Sequence, residues 1–169
     1  TIGSLDIGHG AGGATSNVAV GLGALENSTS TCVRGTAIGN AAMNDVIGSA
    51  DCTAVGTGAL DALVGHAIDG SVGASNTAIG SQSLSATIDG KQNTAVGKSA
   101  LDSGDCVDDN VAVGFEALKV FAGSNATAVG SGAAVVASSQ TNLTAFGKGA
   151  LGSATSGNSN TACGYLALS

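Results

Sequence analysis

A five-residue phrase recurs along the whole chain with a period near 17 residues. The chain reads NTAIG at 76–80 and NTAVG at 93–97. An internal repeat of this length predicts a stack of equivalent units, each of which buries its apolar face against its neighbours. We therefore treat residues 1–169 as a single repeat array. Its copies end on Gly3, Gly21, Gly39, Gly56, Gly80, Gly97, Gly114, Gly130, Gly147 and Gly164.

The aligned copies define the unit N-T-A-V-G-x-x-A-L, followed by a variable stretch rich in Ser, Gly, Asn and Asp. Ala stands two places before the glycine in nine copies, and Leu stands four places after it in seven. The T-A-V segment predicts a short strand, and the variable stretch predicts a return loop. The fold class is therefore mainly β, a parallel β-solenoid of the β-roll type with about nine 17-residue coils. The G-x-x-A-L segment is either a second short strand or a short helical turn in each coil.

We predict that the Val and Leu columns of this stack form its core. In a strand, Thr and Val share one face while Asn, Ala and Gly share the other, and we assign the Val face to the interior. The predicted core residues are Val20, Ile38, Val55, Ile79, Val96, Val113, Val129, Phe146, Cys163, Leu25, Leu60, Leu84, Leu101, Leu118, Leu151 and Leu168.

One copy departs from the regular spacing. Leu60 and Asn76 are 16 positions apart, whereas Leu84 and Asn93 are nine apart. The additional residues fall within 63–75. They predict a loop that bulges from the stack without shifting it, because long surface insertions are tolerated at small entropic cost.

The composition excludes several classes of protein. Hydrophobic residues make up 43% and charged residues 10%, the reverse of a disordered chain. The net charge of −7 and the scattered positions of five Lys and Arg argue against a nucleic-acid partner. No apolar stretch is long enough to insert into a membrane. Aromatic residues are only 2%, so the core must be thin and built from small side chains.

The repeat unit resembles two groups of proteins. One is the head repeat of trimeric autotransporter adhesins, whose copies read roughly N-S-V-A-I-G-x-x-S. The other is the array of phage tail-fibre and cell-surface fibre proteins. The resemblance covers nearly the whole chain, and it implies parallel β coils, frequently three chains side by side, outside the cell.

The cysteines allow one disulfide and predict no zinc site. Cys163 takes a Val position and reads as a small buried hydrophobe. Cys32 and Cys52 fall on neighbouring coils and are the one intrachain pair compatible with a disulfide, whereas Cys32 and Cys106 are too far apart. The sequence contains no C-x-x-C motif. We expect no cofactor.

Other polar residues suggest weaker sites. The cluster of Asp102, Asp105, Asp108 and Asp109 is either a solvated loop or a calcium site. His9 and His66 stand alone and read as surface residues. The glycosylation sequons begin at Asn27, Asn125 and Asn142.

These observations favour a non-catalytic structural role, since no nucleophile motif or Ser-His-Asp set is present. The expected function is a segment or subunit of an extracellular fibre, on a virion or a cell surface. The chain begins and stops inside a repeat, so we expect either a longer parent array or subunits that stack end to end. The expected partners are copies of the chain itself, stacked end to end or side by side as a trimer. One alternative is an adhesin module whose return loops contact host glycans or proteins. A further alternative is an ice-binding protein that uses the stacked Thr column.

Overall fold

Ten short strands lie side by side in one sheet and follow one another in chain order. The computed structural model describes residues 7–9, 16–28, 32–62, 74–86, 89–102, 108–137, 140–153 and 156–169, and all structural statements concern these residues. The strands are β1 Ile7–Gly8, β2 Val18–Val20, β3 Thr36–Ile38, β4 Thr53–Val55, β5 Thr77–Ile79, β6 Thr94–Val96, β7 Val111–Val113, β8 Thr127–Val129, β9 Thr144–Phe146 and β10 Thr161–Cys163.

Strands β2 to β10 pair in parallel, each with the equivalent strand of the next coil. The register aligns identical repeat positions, so that Thr77 lies beside Thr94, Ala78 beside Ala95 and Ile79 beside Val96. The chain is therefore a parallel β-solenoid, as the period predicts. Strand β1 pairs antiparallel with β2, and the repeat pattern does not predict this pairing. The weak copy at Gly3 lies outside the described residues.

The interior side of the strands is the Ala side, so the prediction that the Val column forms the core is wrong. Ala is buried in all nine parallel strands, whereas Ile79 is 41% exposed and Phe146 is 48% exposed. The physical reason is that the Leu side chains project into the interior from the side of the coil opposite the strand. Only Ala and Gly are small enough on the inner side of the strand to leave room for them. The residues assigned to the wrong side are Val20, Ile38, Val55, Ile79, Val96, Val113, Val129, Phe146 and Cys163.

The Leu column forms the other half of the core, as predicted. Leu25, Leu60, Leu84, Leu101, Leu118 and Leu151 are buried. Leu168 is the exception, with 66% of its surface exposed in the last coil. Met43 and Ala134 occupy the same column in two coils and are buried too.

The G-x-x-A-L segment is a turn, and neither of the two predicted alternatives is correct. The residue four places after the glycine adopts a left-handed conformation in every coil, for example Leu84 with φ 51° and Leu101 with φ 50°. This conformation costs about 1–2 kcal/mol for a residue other than glycine. Backbone hydrogen bonds to the next coil offset the cost, since Leu84 N donates to Ala100 O at 3.0 Å.

The insertion leaves the stack in register, as predicted. Strands β4 and β5 flank it and still pair Thr53 with Thr77 and Val55 with Ile79. Residues 63–73, which make up most of the insertion, lie outside the described residues.

The glycine that ends each strand lies against the backbone of the next coil. A Cβ atom on Gly97 would come within 2.7 Å of the carbonyl carbon of Gly114, and Gly97 has φ +134°. We predict that Gly97→Ala lowers the free energy of unfolding by about 3 kcal/mol or more, since it combines backbone strain with a clash between coils. Chemical denaturation followed by circular dichroism measures this.

Gly132→Ala is the matched control for Gly97→Ala. Gly132 has φ +66°, and a Cβ there would meet nothing within 4 Å. Other coils carry Ala41, Gln82 or Glu116 at this position. We expect a loss of about 1 kcal/mol, and equal losses for the two variants would contradict the close approach at Gly97.

Candidate functional site

The outward side chains of the stacked strands form one continuous surface, which we call the Thr/Val face. It consists of the first and third residues of strands β2 to β10. No charged residue occurs in any of these strands. The first column is Val18, Thr36, Thr53, Thr77, Thr94, Val111, Thr127, Thr144 and Thr161; the second is Val20, Ile38, Val55, Ile79, Val96, Val113, Val129, Phe146 and Cys163.

The seven threonines of this face keep their hydroxyl groups free of protein partners. Within the part of the chain that the structure describes, none of them makes a side-chain hydrogen bond or other polar contact. Six of them are half-buried by their neighbours, and Thr161 in the last coil is exposed. Each hydroxyl is therefore available to solvent or to a ligand.

Backbone hydrogen bonds hold the face in a regular arrangement. Thr94 N donates to Asn110 O at 2.8 Å on one side of strand β6, and Gly97 N donates to Ile79 O at 2.7 Å on the other. Equivalent bonds recur in the other coils. Neighbouring strands in a sheet lie about 4.8 Å apart, so the two columns repeat at a constant distance along the stack.

A ladder of buried asparagines supports the face from inside. The residue before strands β5, β6 and β7 is Asn76, Asn93 or Asn110, and all three are buried. Asn76 Oδ1 accepts from Asn93 N at 2.9 Å, and Asn93 Oδ1 accepts from Asn110 N at 3.0 Å. Each side chain thus satisfies a buried amide of the next coil, which would cost about 1–3 kcal/mol if left unpaired.

Charged side chains lie beside the face and not on it. Arg34 and Asp51 form a bidentate pair between neighbouring coils, at 2.6 Å from Nε to Oδ1 and 2.8 Å from Nη2 to Oδ2. The hydrogen bonds from Arg34 lower the pKa of Asp51. Lys91 Nζ lies 3.8 Å from Asp108 Oδ2. Both pairs are largely solvent-accessible, so their contribution to stability is small.

The possible disulfide between Cys32 and Cys52 is not formed, and both residues are thiols. Both are buried, and Cys32 Sγ lies 4.0 Å from Ser49 Oγ. Burial raises the pKa of Cys52 to about 11 and raises that of Cys32 as well. Cys163 is exposed, contrary to the prediction, because it belongs to the outward column. Cys106 lies outside the described residues.

The acidic cluster does not form a metal site within the described residues. Asp102 accepts a hydrogen bond from Ser85 Oγ, Asp108 pairs with Lys91, and Asp109 is exposed. No group of three His, Cys, Asp or Glu side chains able to hold a metal ion occurs in this part of the chain. Asp105 lies outside it.

The remaining predicted positions are on the surface. Asn27, Asn125 and Asn142 are exposed, and Asn27 Nδ2 donates to Asp45 Oδ1 at 2.7 Å. Glycosylation at these positions stays a prediction. His9 is exposed, as expected, and its Nδ1 lies 2.7 Å from Asn17 O. His66 lies outside the described residues.

Hydrophobicity alone does not predict that the Val column faces outward, although the sequence contains another signal of this orientation. The inward position is Ala in every one of the nine copies, whereas the outward position varies among Val, Ile, Phe and Cys. An invariant small residue within a repeat indicates a position with no spare volume. That is a property of the interior and not of the surface.

Comparison of the chain with protein-family models, characterised proteins and solved structures gives no match. The residues described contain no helix with the length and apolar character that a membrane span requires.

We predict that Asn93→Ala lowers the free energy of unfolding by about 1–3 kcal/mol, since Asn110 N would lose its acceptor inside the stack. Thermal or urea unfolding measures the loss. Asn40→Ala is the control, because Asn40 is exposed and should change stability by no more than about 0.5 kcal/mol. Equal effects at the two positions would refute the role of the ladder.

We predict that Cys163 reacts with iodoacetamide at pH 8 while Cys32 and Cys52 do not. With a pKa of about 11, Cys52 is thiolate in only about one molecule in a thousand at this pH, and it is also shielded by burial. Peptide mass spectrometry locates the label. In urea without reductant both buried cysteines should become labelled, and a failure to label there would show that they are oxidised.

Proposed function

We propose that this chain is a structural segment or subunit of an extracellular fibre, of the virion or cell-surface type, and that it has no catalytic role. The observation that carries the proposal is the unbroken register of strands β2 to β10. Each of the three strand positions pairs with the same position in the next coil. A stack in continuous register extends in one direction, as a fibre requires.

The hydrogen-bond pattern supports a load-bearing role. Backbone bonds join neighbouring coils at the strand, at the glycine turn and at the return loop, as in Thr94 N to Asn110 O, Ser99 N to Ser81 O and Gln92 N to Ala74 O. They connect one coil to the next, so tension along the stack is shared among several bonds in each coil.

The proposed partners are copies of the same chain. They stack end to end or lie side by side in threes, as the resemblance to adhesin heads and tail fibres implies. The same resemblance supports a location outside the cell. The low proportion of charged residues, 10% of the chain, is consistent with a surface that contacts other copies.

Electron microscopy and light scattering on the purified full chain test this function. We expect rods, with about 40 Å contributed by the nine parallel strands at their normal spacing, that assemble into particles heavier than the 15.8 kDa chain. Globular particles, or a monomer of that mass at every concentration, would refute the fibre proposal.

A further inference from the structure

We propose that the Thr/Val face binds ordered water and, through it, the surface of ice. This is a binding activity additional to the fibre role and does not depend on it. Three properties of the face carry the inference: its regular two-column spacing, its unpartnered hydroxyl groups and its lack of charge.

The two columns form a regular lattice, because each strand pairs in the same register with the next. Along the stack, equivalent side chains repeat about every 4.8 Å, and within one strand the Thr and Val positions lie about 7 Å apart, which is two residues of extended chain. Hexagonal ice exposes prism planes whose oxygen atoms repeat at similar distances in two perpendicular directions. A surface with this spacing can match many water positions at once.

The side chains suit such a match because they are stiff and small. Thr, Val and Ile are branched at Cβ and have few accessible χ1 rotamers, so the methyl and hydroxyl groups keep their spacing. Methyl groups restrict the orientation of neighbouring water. The threonine hydroxyls, such as those of Thr77 and Thr94, can anchor that water, since no protein group occupies them.

A second copy packed on the same face fits these observations less well. A dry interface would remove water from the threonine hydroxyls, which have no partner in their own chain. A hydroxyl buried without a hydrogen bond costs about 1–3 kcal/mol by protein mutational data. Ordered water satisfies the same hydroxyls without that cost, so water is the occupant that the geometry favours.

Val111 and Phe146 break the regularity of the lattice between its ends: Val111 replaces Thr in the first column, and Phe146 replaces Val or Ile in the second. Val18 and Cys163, in the first and last parallel strands, also depart from the pattern. Val111 lacks a hydroxyl group, and the Phe146 ring, 48% exposed, is larger than the aliphatic side chains of its column. Substitutions at Val111 and Phe146 can therefore make the lattice more regular, whereas other substitutions disrupt it.

Thermal hysteresis and ice recrystallisation in the full chain test the inference. Wild type should separate the freezing and melting points, and Thr94→Lys in the centre of the face should abolish most of that gap. Gln92→Lys is the matched control. It adds the same side chain to the same coil at an exposed position outside the strand, and it should keep the wild-type gap.

Val111→Thr and Phe146→Val should each widen the gap, because the first adds a hydroxyl between those of Thr94 and Thr127 and the second makes the methyl column more uniform. These variants keep the test decisive if Thr94→Lys fails to fold, which circular dichroism detects. No hysteresis in wild type, or equal loss in the two Lys variants, overturns the inference. The inference is also overturned if wild type shows no hysteresis and Thr94→Lys lowers the particle mass. That result identifies the face as an interface between copies of the chain. The fibre proposal is tested separately: if electron microscopy shows rods, that proposal holds whatever the hysteresis measurement gives.

Discussion

The close approach of backbones at the glycine column determines much of the rest of the structure. Gly56, Gly80 and Gly97 each lie so near the glycine of the next coil that a single added carbon would meet its carbonyl group. This contact lets the turns of neighbouring coils stack directly on one another. A thin coil has room for one bulky column, and the Leu column occupies it. The strand wall must then be Ala, and the larger β-branched residues are left outside.

The architecture was predictable from the sequence because it depends on periodicity alone. The 17-residue spacing specified parallel stacking, and the pairing of Thr53 with Thr77 confirms that the insertion leaves the stack undisturbed. The orientation of the strands was not predictable from hydrophobicity, since Val is more apolar than Ala and the assignment of the interior followed that difference. Packing volume decides the matter instead, and its sign in the sequence is the Ala that occupies the inward strand position in all nine copies.

Local conformation was the least predictable part. Leu rarely adopts a positive φ. Leu84 and Leu101 nevertheless do so, in turns that are neither helix nor strand. Such a residue is stable only because the surrounding coils determine its conformation. The pairing of β1 with β2 is likewise outside the repeat. The Thr/Val face shares this origin, because its exposure follows from which wall the Leu column fills.

The insertion between β4 and β5 shows that chain length and rise along the stack are independent of each other. Twenty-four positions separate Thr53 from Thr77, and 17 separate Thr77 from Thr94, yet both pairs lie side by side in the sheet. A return loop can therefore grow or be exchanged without altering the geometry of the neighbouring coils. The solenoid is in this respect a display scaffold, in which new loop sequences can be tried, in evolution or by grafting, one coil at a time.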